Sequence, residues 1–376
     1  MRRVRILARD REERSHSRGN RGVQPNDSSI LIIRPSALGD VCRSVPLAVS
    51  LRARFPEAHI AWVVQDSFVE AVVAHPAVDE VIAFPRARWR RWWHPACLAD
   101  MRRWIAGLRG RFSLVIDAQG LGRSGLIAWA TRAPRRVGFA DAREGGWLGV
   151  QERYRVHAVH TVDRMLGLLE QAGIPPVPDL RLHLRDEDRL WWEAERAKRG
   201  IPARYAVFAP TSRWITKDWP AERWRTLAAP VLERGVDAVL FVGTPGEAER
   251  VRAAIPTDPS LGDRMIDLAG ATGVGQSMAV IAGAELVVAN DSAPLHVAVG
   301  FDRRLIALFG PTDPALVGPY RRERSVLRAP AAAAFRGSYR DRSLGDALMR
   351  GIAVEDVLRA IDAGCAEPVA RAECPA

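Results

Sequence analysis

Short apolar runs separated by polar loops recur along most of this chain. The clearest are residues 29–34, 80–84 and 205–209, which are rich in Ile, Val, Ala and Phe. Continuous apolar runs of this length predict strands that are buried on both faces. Segments with helical periodicity follow them, for example residues 122–131 and 161–172. Strands that alternate with helices predict parallel, doubly wound sheets, and therefore the α/β fold class.

The alternation occurs in two series. Residues 173–178 lie between them and consist of Gly, Ile, Val and three Pro residues, which predicts a linker. We therefore predict two Rossmann-like domains, residues 28–178 and 179–345, which face each other across a cleft. Residues 1–27 are polar, charged and without periodicity, which predicts a mobile arm. Residues 346–376 are predicted to form a C-terminal helix and tail.

Composition narrows the kind of partner. The formal net charge is +11, and Arg supplies most of the positive charge. This balance indicates an anionic partner, which leaves nucleic acid, anionic lipid and a phosphorylated or acidic substrate open. Four scattered cysteines without metal-ligand spacing favour a reducing cytoplasm. We expect neither a transmembrane helix, which needs about 18 consecutive apolar residues, nor a secretory signal.

A polar cluster lies where a predicted strand passes into a predicted helix. Residues 290–296 follow an apolar run and include Asp291, Ser292 and His296. The carboxyl edge of a parallel sheet is where ligands bind, and the free N–H groups of a helix start favour phosphate. Residues 310–314, after the next predicted strand, are expected at the same edge. The alternative for Asp291 and Ser292 is a helix cap, and for residues 310–314 a plain turn.

Three further charged residues occupy equivalent loops. Asp40 follows the first strand and is a candidate general base or a helix cap. Lys217 lies in a loop with Thr211 and Ser212, which is either a diphosphate site or a solvated surface loop. Glu247 is placed to accept ribose hydrogen bonds or to stabilise a helix start.

Several nucleotide and hydrolase signatures are absent from the sequence. The first strand is not followed by Gly-x-Gly-x-x-Gly, and neither Gly-x-x-x-x-Gly-Lys-Ser/Thr nor Gly-x-Ser-x-Gly occurs. These absences argue against nicotinamide enzymes, P-loop ATPases and α/β-hydrolases.

The order of the motifs resembles the ADP-heptose:lipopolysaccharide heptosyltransferases, which are glycosyltransferases of family 9 with the GT-B fold, and most of all heptosyltransferase I. The likeness covers roughly residues 29–325, and the family usually has Asp-Thr-Gly where this chain has Asp-Ser-Ala at 291–293. The matching positions are residues 36–41, Pro46, residues 117–121, Arg123, Ser124, residues 142–144, His160, Arg164, Lys217, Trp219, Pro220, residues 291–296 and residues 310–314.

The resemblance implies an inverting transfer from a nucleotide sugar, ADP-heptose or a related donor, without a metal or other cofactor. Asp40 is the implied base, with the first domain on the acceptor side and the second on the nucleotide-sugar side. Lys217 has an implied catalytic role beside the leaving diphosphate. The implied donor-binding residues are Thr211, Ser212, Lys217, Glu247, Asp291, Ser292 and His296.

On the acceptor side, Arg123 and Arg143 match family positions, and family acceptors are anionic lipid-linked saccharides. Arg88, Arg90 and Arg91 lie in a Trp-rich basic segment, for which we predict contact with the acceptor or an anionic membrane surface. The protein is therefore expected in the cytoplasm, peripherally bound to the inner face of the membrane.

Other functions remain open from the residues alone. The same architecture suits an enzyme that uses another nucleotide sugar, either a glycosyltransferase or an epimerase. The Arg content is compatible with a nucleic-acid-binding protein, although the sequence shows no such motif and its basic residues are dispersed. A non-catalytic carbohydrate-binding relative is disfavoured because Asp40 and Lys217 are both present. We therefore expect no nucleic-acid partner.

Overall fold

The computed structural model describes residues 29–91 and 93–366 and the backbone of Arg3–Arg5, with the side chain of Arg91 left out. The chain divides into two compact units, Met1–His183 and Leu184–Ala376. The predicted boundary after residue 178 lies just before this division. The predicted arm, residues 1–27, lies outside the described residues apart from Arg3–Arg5, and so does the end of the predicted tail, residues 367–376.

The first unit is a parallel sheet with helices between its strands. Its strands are β1 (Arg3–Arg5), β2 (Ser29–Ile33), β3 (His59–Gln65), β4 (Glu80–Phe84), β5 (Leu114–Asp117), β6 (Arg135–Phe139) and β7 (Glu152–Tyr154). Its helices are α1 (Leu38–Arg43), α2 (Val45–Arg54), α3 (Pro95–Ala106), α4 (Gly122–Thr131) and α5 (Thr161–Gln171). The apolar run at β2 is fully buried, as its composition predicts.

The strand order in the first unit is β1-β4-β3-β2-β5-β6-β7. The chain adds strands on one side of β2 and then continues on its other side with β5. This reversal is a topological switch point, and the loops that leave the carboxyl ends of the two strands diverge there to form a crevice. The register pairs Ile33 with Asp117, so the loops after β2 and β5 start side by side.

The second unit repeats this plan. Its strands are β8 (Tyr205–Ala209), β9 (Ala238–Phe241), β10 (Met265–Asp267), β11 (Leu286–Asn290), β12 (Arg304–Phe309) and β13 (Val326–Arg328). Its helices are α6 (Asp186–Arg199), α7 (Ala221–Leu232), α8 (Ala248–Ala253), α9 (Val274–Ala282), α10 (Ala293–Gly300), α11 (Pro314–Val317), α12 (Pro330–Ala334) and α13 (Val354–Asp362).

The strand order in the second unit is β10-β9-β8-β11-β12-β13, so its switch point lies between β8 and β11. Aromatic side chains fill the core on one side of this sheet. Phe208, Trp224 and Phe241 pack together, with Trp219 edge-on to Trp224. Helix α13 belongs to the same core, because Val357 and Ile361 are buried in it.

Two local features differ from what the sequence pattern predicts. The pattern of residues 41–54 predicts a single helix, but the helix breaks at Ser44, because Pro46 has no N–H to bond the carbonyl of residue 42. Helix α6 was not predicted, because its composition is mainly charged. It is stabilised by acidic residues in its first turn, basic residues in its last turn and ion pairs such as Arg189–Glu193.

Candidate functional site

At the first switch point, hydrogen bonds join the loops that follow β2 and β5. Arg34 Nη1 donates to the carbonyl of Ala118 at 2.6 Å. The N–H of Ala118 donates to Ile33 at 3.2 Å, and the N–H of Ser36 donates to Gln119 Oε1 at 3.5 Å. The two loops therefore hold each other, and Arg34 is buried between them.

Asp40 lies in this arrangement at the start of α1. Its carboxylate accepts the N–H of Ala37 at 3.1 Å from the third position of the helix, so the N-cap is Ala37 and not Asp40, for which the N-cap role was the alternative. The same carboxylate lies 2.5 Å from Arg43 and 3.3 Å from Arg34. Burial by itself raises the pKa of Asp40. The two guanidinium groups and the N–H of Ala37 have a larger, opposite effect and hold the pKa of Asp40 well below its usual range. In this state Asp40 is an anion with two cationic partners.

A cavity of about 350 Å³ opens beside these loops. Arg34, Arg143 and Arg164 line it, so three Arg residues border one small space. Arg164 is held by Asp141 at 2.5 Å and lies over the ring of Phe139. The other lining residues are Ala118, Gln119, Gly120, Phe139, Asp141, Ala142, Thr161 and Met165. The excess of Arg suits a ligand with carboxylate or phosphate groups.

Asp117 supports one wall of this cavity. The buried carboxylate accepts the N–H groups of Gln119 and Gly120 at 3.0 and 3.1 Å and the hydroxyl of Ser124 at 2.9 Å. Burial raises the pKa of Asp117 to about 6 despite these hydrogen bonds. Asp117 thus shapes the turn that carries Gln119 and Gly120 to the cavity.

The predicted acceptor-side Arg residues lie in different places. Arg143 lines the cavity, whereas Arg88, Arg90 and Arg123 do not. Arg88 pairs with Asp100 at 3.2 Å, Arg90 is exposed, and Arg123 lies 5.8 Å from the ring of Phe84. The side chain of Arg91 lies outside the described residues.

Two tryptophans of the predicted basic segment, Trp89 and Trp104, are buried. They pack edge-on against Phe84 and against each other, so they belong to the core of the first unit. The indole N–H of Trp89 also donates to Asp100, the partner of Arg88. Tertiary packing therefore accounts for much of the aromatic content of this segment.

The second switch point brings together residues far apart in sequence. Lys217 Nζ lies 2.6 Å from Asp291 Oδ2, and Thr312 Oγ1 donates to the same oxygen at 2.7 Å. Both charged side chains are largely buried, and the Lys217 ammonium lies 4.8 Å from the ring centroid of Tyr339. The loops after β8, β11 and β12 therefore converge, as predicted for residues 290–296 and 310–314. The carboxylate of Asp291 contacts these side chains, whereas a simple helix cap binds backbone N–H groups.

A second charged network orders the loop that carries Lys217. Asp218 accepts the N–H of Ser212 at 2.7 Å and pairs with Arg250, which also donates to the carbonyl of Ser212 at 3.0 Å. Burial raises the pKa of Asp218 to about 7, although Arg250 opposes the shift. Arg250 also lies 3.7 Å from Glu247, so the network links the loops after β8 and β9.

The remaining predicted donor residues occupy the same edge in different roles. Glu247 accepts the N–H and hydroxyl of Thr244 at 3.0 and 2.6 Å, which is a capping contact at the helix start, where only stabilisation by the dipole was foreseen as the alternative. Thr211 is buried, and the hydroxyl of Ser212 donates to the carbonyl of Trp214. Ser292 begins α10 without a side-chain cap bond, and His296 is buried in that helix.

Several residues at these two edges did not emerge as candidates from the sequence. They are Arg34, Arg43, Asp141, Asp218, Arg250 and Tyr339. Several of their contacts are with other loops, for example Arg250 with Asp218, which is 32 positions away, and Tyr339 with Lys217. An Arg next to an apolar strand carried a usable signal, since a charged side chain at that position needs a partner.

The described residues contain neither a cluster of metal-ligating side chains nor a membrane-spanning helix. Among residues 29–91 and 93–366, no group of three or more His, Cys, Asp or Glu side chains is placed to hold a metal ion. None of the helices in the described part of the chain has the length and apolar character needed to cross a bilayer.

Two Rossmann-like units, each with charged loops at its switch point, are typical of GT-B glycosyltransferases. The family model described as glycosyltransferase family 9 (heptosyltransferase) matches residues 101–342. The chain belongs to this family, which confirms the resemblance and the fold class predicted from its sequence.

Individual relatives agree with this assignment. Lipopolysaccharide heptosyltransferase 1 of Pseudomonas aeruginosa is 33% identical over 309 residues, which cover 79% of this chain and 83% of the relative. The Escherichia coli K12 protein of the same name is 28% identical, over 80% of this chain and 93% of its own length.

Solved structures show a similar fold. The family 9 glycosyltransferase of Veillonella parvula superposes with a TM-score of 0.76 at 23% identity, over 90% of this chain and 97% of that one. E. coli heptosyltransferase WaaC, solved with ADP, has a TM-score of 0.70 at 25% identity and covers 89% of this chain and 99% of its own.

Proposed function

We propose that this protein transfers a heptose from ADP-heptose to an anionic saccharide of the lipopolysaccharide inner core, with inversion at the anomeric carbon and without a metal ion. The proposal rests on the family and on the names of its relatives. The observation that carries it is the paired charge arrangement, with Lys217 beside Asp291 in one unit and Asp40 beside an Arg-lined cavity in the other.

The second unit is proposed to bind the donor. Lys217 and the N–H groups at the start of α10 provide positive potential for a diphosphate. Thr211, Ser212, Ser292 and His296 lie on the loops and helix around that position, and Glu247 takes the ribose in this proposal. When the diphosphate binds, it competes with Asp291 for Lys217. Asp291 keeps a hydrogen bond from Thr312 when Lys217 turns to the ligand.

The first unit is proposed to bind the acceptor. Arg143 and Arg164 line the cavity, and their guanidinium groups suit the carboxylates of an acidic sugar. Arg88, Arg90, Arg91 and Arg123 remain proposed contacts for more distant parts of the acceptor or for its membrane.

Asp40 is proposed as the base, and Arg34 connects it to the cavity. A carboxylate with such a depressed pKa is a weak base, because proton transfer is most effective when the pKa lies near the working pH. Arg34 both lines the cavity and lies 3.3 Å from Asp40. An acceptor anion that binds Arg34 weakens its attraction for Asp40 and raises the pKa of the base only when the acceptor is present.

In the proposed reaction, the acceptor oxygen forms a bond to the anomeric carbon from the face opposite the diphosphate, and the proton of the acceptor hydroxyl passes to Asp40. The bond from the anomeric carbon to the diphosphate oxygen breaks, and ADP leaves with the electron pair. Lys217 stabilises the charge that develops on the leaving diphosphate.

The test is incubation with ADP-heptose and, separately, with nucleotide sugars that differ in base or sugar, with and without an acidic core acceptor. We expect acceptor-dependent ADP release, unchanged by a chelator, and a product of inverted anomeric configuration. Release of nucleoside diphosphate from another nucleotide sugar but not from ADP-heptose identifies a different donor. Sugar isomerisation without transfer identifies an epimerase. Stabilisation against heat by nucleic acid but not by ADP contradicts the proposal.

The lipid-linked acceptor also locates the protein in this proposal. We place it in the cytoplasm, peripherally attached to the inner face of the membrane, where the core saccharide is extended.

A further inference from the structure

Helix α4 in the first unit has an unusual exposed face. Its exposed positions recur every third residue and are Arg123, Leu126, Trp129 and the C-terminal Arg132. Leu126 is 54% and Trp129 56% exposed, while Ile127 and Ala128 on the opposite side are buried. A helix packed on a sheet normally presents polar residues to solvent. The apolar side chains of α4 therefore have a purpose other than packing on its own sheet.

A turn packed directly on α4 adds two more exposed apolar side chains. The turn Gly146–Gly149 contains Trp147, which is 38% exposed, and Leu148, which is 64% exposed. We refer to Leu126, Trp129, Trp147 and Leu148 as the tryptophan patch. Scattered exposed apolar residues are ordinary, but a group of four large ones on two packed segments marks an interaction surface.

Glycines bring the helix and the turn together. A Cβ atom on Gly125 would overlap the carbonyl of Gly146, and one on Gly149 would overlap the carbonyl of Gly125. A Cβ on Gly122 would lie 2.6 Å from the carbonyl of Glu144. The two backbones are thus in direct contact, which leaves no room for side chains between them and holds the tryptophan patch on a rigid support.

Positive charge borders the patch. Arg123 and Arg132 are exposed at the two ends of α4, and Arg153 lies 4.9 Å from the ring centroid of Trp147. Asp141, which pairs with Arg164, and Glu144 are the acidic residues in the segment 141–145 that leads into the turn. Trp and Leu with Arg at the edges suit the interfacial region of a bilayer, where indoles sit at the headgroups and guanidinium groups contact lipid phosphates.

The cavity is lined by the segments that lead into the patch. Gln119 and Gly120 line the cavity and end one residue before α4, while Ala142 and Arg143 line it and end two residues before the turn. The N–H of Arg143 donates to the carbonyl of Gly120 at 2.9 Å, so the two approaches are fastened together. A saccharide bound in the cavity with its lipid in a membrane therefore places that membrane close to the patch.

We propose that the tryptophan patch docks on a bilayer that contains anionic lipids and so presents the cavity to a lipid-linked acceptor. This inference rests on the proposed function for its purpose, but the binding itself does not require any transfer reaction. It shifts the main membrane contact from the basic segment at Arg88 and Arg90 to α4 and its turn.

The test is sedimentation of the full chain with vesicles of phosphatidylcholine alone and of phosphatidylcholine with phosphatidylglycerol. We expect binding to the anionic vesicles that weakens with salt. The double variant Trp129→Ser, Leu148→Ser should bind at least about tenfold more weakly, because each apolar group removed from the interface lowers partitioning. Its turnover of a water-soluble acceptor fragment should match that of the native protein.

Matched controls make the outcome decisive. Leu190→Ser, Leu316→Ser removes two exposed apolar residues of the second unit, 56% and 46% exposed, and should leave vesicle binding unchanged. Equal vesicle binding by the patch variant and the native protein overturns the proposal. Loss of vesicle binding in the double variant Arg88→Ala, Arg90→Ala, but not in the patch variant, also overturns it. A third outcome is that the native protein is a dimer that does not bind vesicles and that the patch variant is a monomer. In that case the patch is an interface with a second copy of the chain and not a membrane contact. Vesicle binding without transferase activity refutes the proposed function but not the docking surface.

Discussion

Both units place an aspartate at the switch point of a parallel sheet, yet the two aspartates have different surroundings. Asp40 faces two guanidinium groups, Arg34 and Arg43, so its local cluster keeps a net positive charge. Asp291 faces one ammonium, Lys217, so that pair is neutral. The switch points of two similar sheets therefore hold an electropositive site in one unit and a closed, balanced pair in the other.

This difference indicates how each site responds to an anion. An anion at the Asp40 cluster meets unbalanced positive charge and can bind without displacing a carboxylate. An anion at the Lys217 pair has to compete with Asp291. The first site is thus arranged to be changed electrostatically by its ligand, and the second is arranged to open for it.

The largest effect should come from Asp40→Asn. The amide keeps the shape of the carboxylate but cannot accept the acceptor proton, so turnover should fall by about a hundredfold or more. ADP affinity, measured by calorimetry, should stay close to the native value because Lys217 is untouched. A thermal melt serves as the control for folding, since Arg34 and Arg43 lose their anionic partner. Near-native turnover would remove Asp40 as the base and leave Asp291 as the next candidate.

A smaller effect, but on both binding and turnover, is expected for Lys217→Ala. Charge-assisted contacts to a phosphate contribute about 1.5–3 kcal/mol, so ADP affinity should fall by roughly tenfold or more. The variant also leaves Asp291 buried without its cation. Adding Asp291→Asn should restore thermal stability without restoring ADP affinity. Recovery of both would mean that Lys217 acts through Asp291 and not on the diphosphate.

Arg43→Gln should move the pH dependence of turnover without abolishing it. One guanidinium fewer raises the pKa of Asp40, by about one unit or more for a close pair. The base then becomes protonated at a higher pH, so the acid limb of the pH–rate profile should shift upwards. Arg52→Gln, which breaks the Arg52–Asp79 pair elsewhere in the same unit, is the matched control and should leave the limb in place.

The smallest effect on activity is expected for Asp218→Asn, because Asp218 orders the Lys217 loop without a proposed substrate contact. Its pKa in the folded protein, about 7, is above the ordinary value of 3.8. The folded state therefore binds a proton more tightly than the unfolded state, and the stability this confers is lost as pH rises through about 7. Denaturant unfolding at pH 5 and pH 8 should show that loss in the native protein and a smaller one in the variant. An equal loss in both proteins would exclude Asp218 as its source.

The extent to which the sequence predicted the fold varies with the type of element. Strands Glu80–Phe84 and Tyr205–Ala209 and helix Gly122–Thr131 match their predicted bounds, because their apolar pattern is strong. Helix α6 and strands β7 and β13 were not predicted. Most residues of α6 are charged. Strands β7 and β13 are short edge strands, and their pairing depends on a neighbouring strand.

The site was predicted in its parts but not in its contacts. Asp40, Lys217 and Asp291 were selected because each follows a strand, and the structure confirms that position. The pairing of Lys217 with Asp291, and of Asp40 with Arg34 and Arg43, was not foreseen. For Glu247 the position at a helix start was foreseen as the alternative, but its capping contact with Thr244 was not.

The sequence by itself determined the two parallel sheets, the family and the charged residues at the strand ends, because apolar periodicity and strand–loop order are local properties of the chain. Only the tertiary structure decided which charges meet, which tryptophans are buried and which apolar residues remain exposed. Trp104 and Trp129 illustrate this point, since both lie in predicted helices, yet one is 4% and the other 56% exposed. Burial and pairing depend on residues brought together across the sheet, and the energy of a charge or an indole is set by those neighbours.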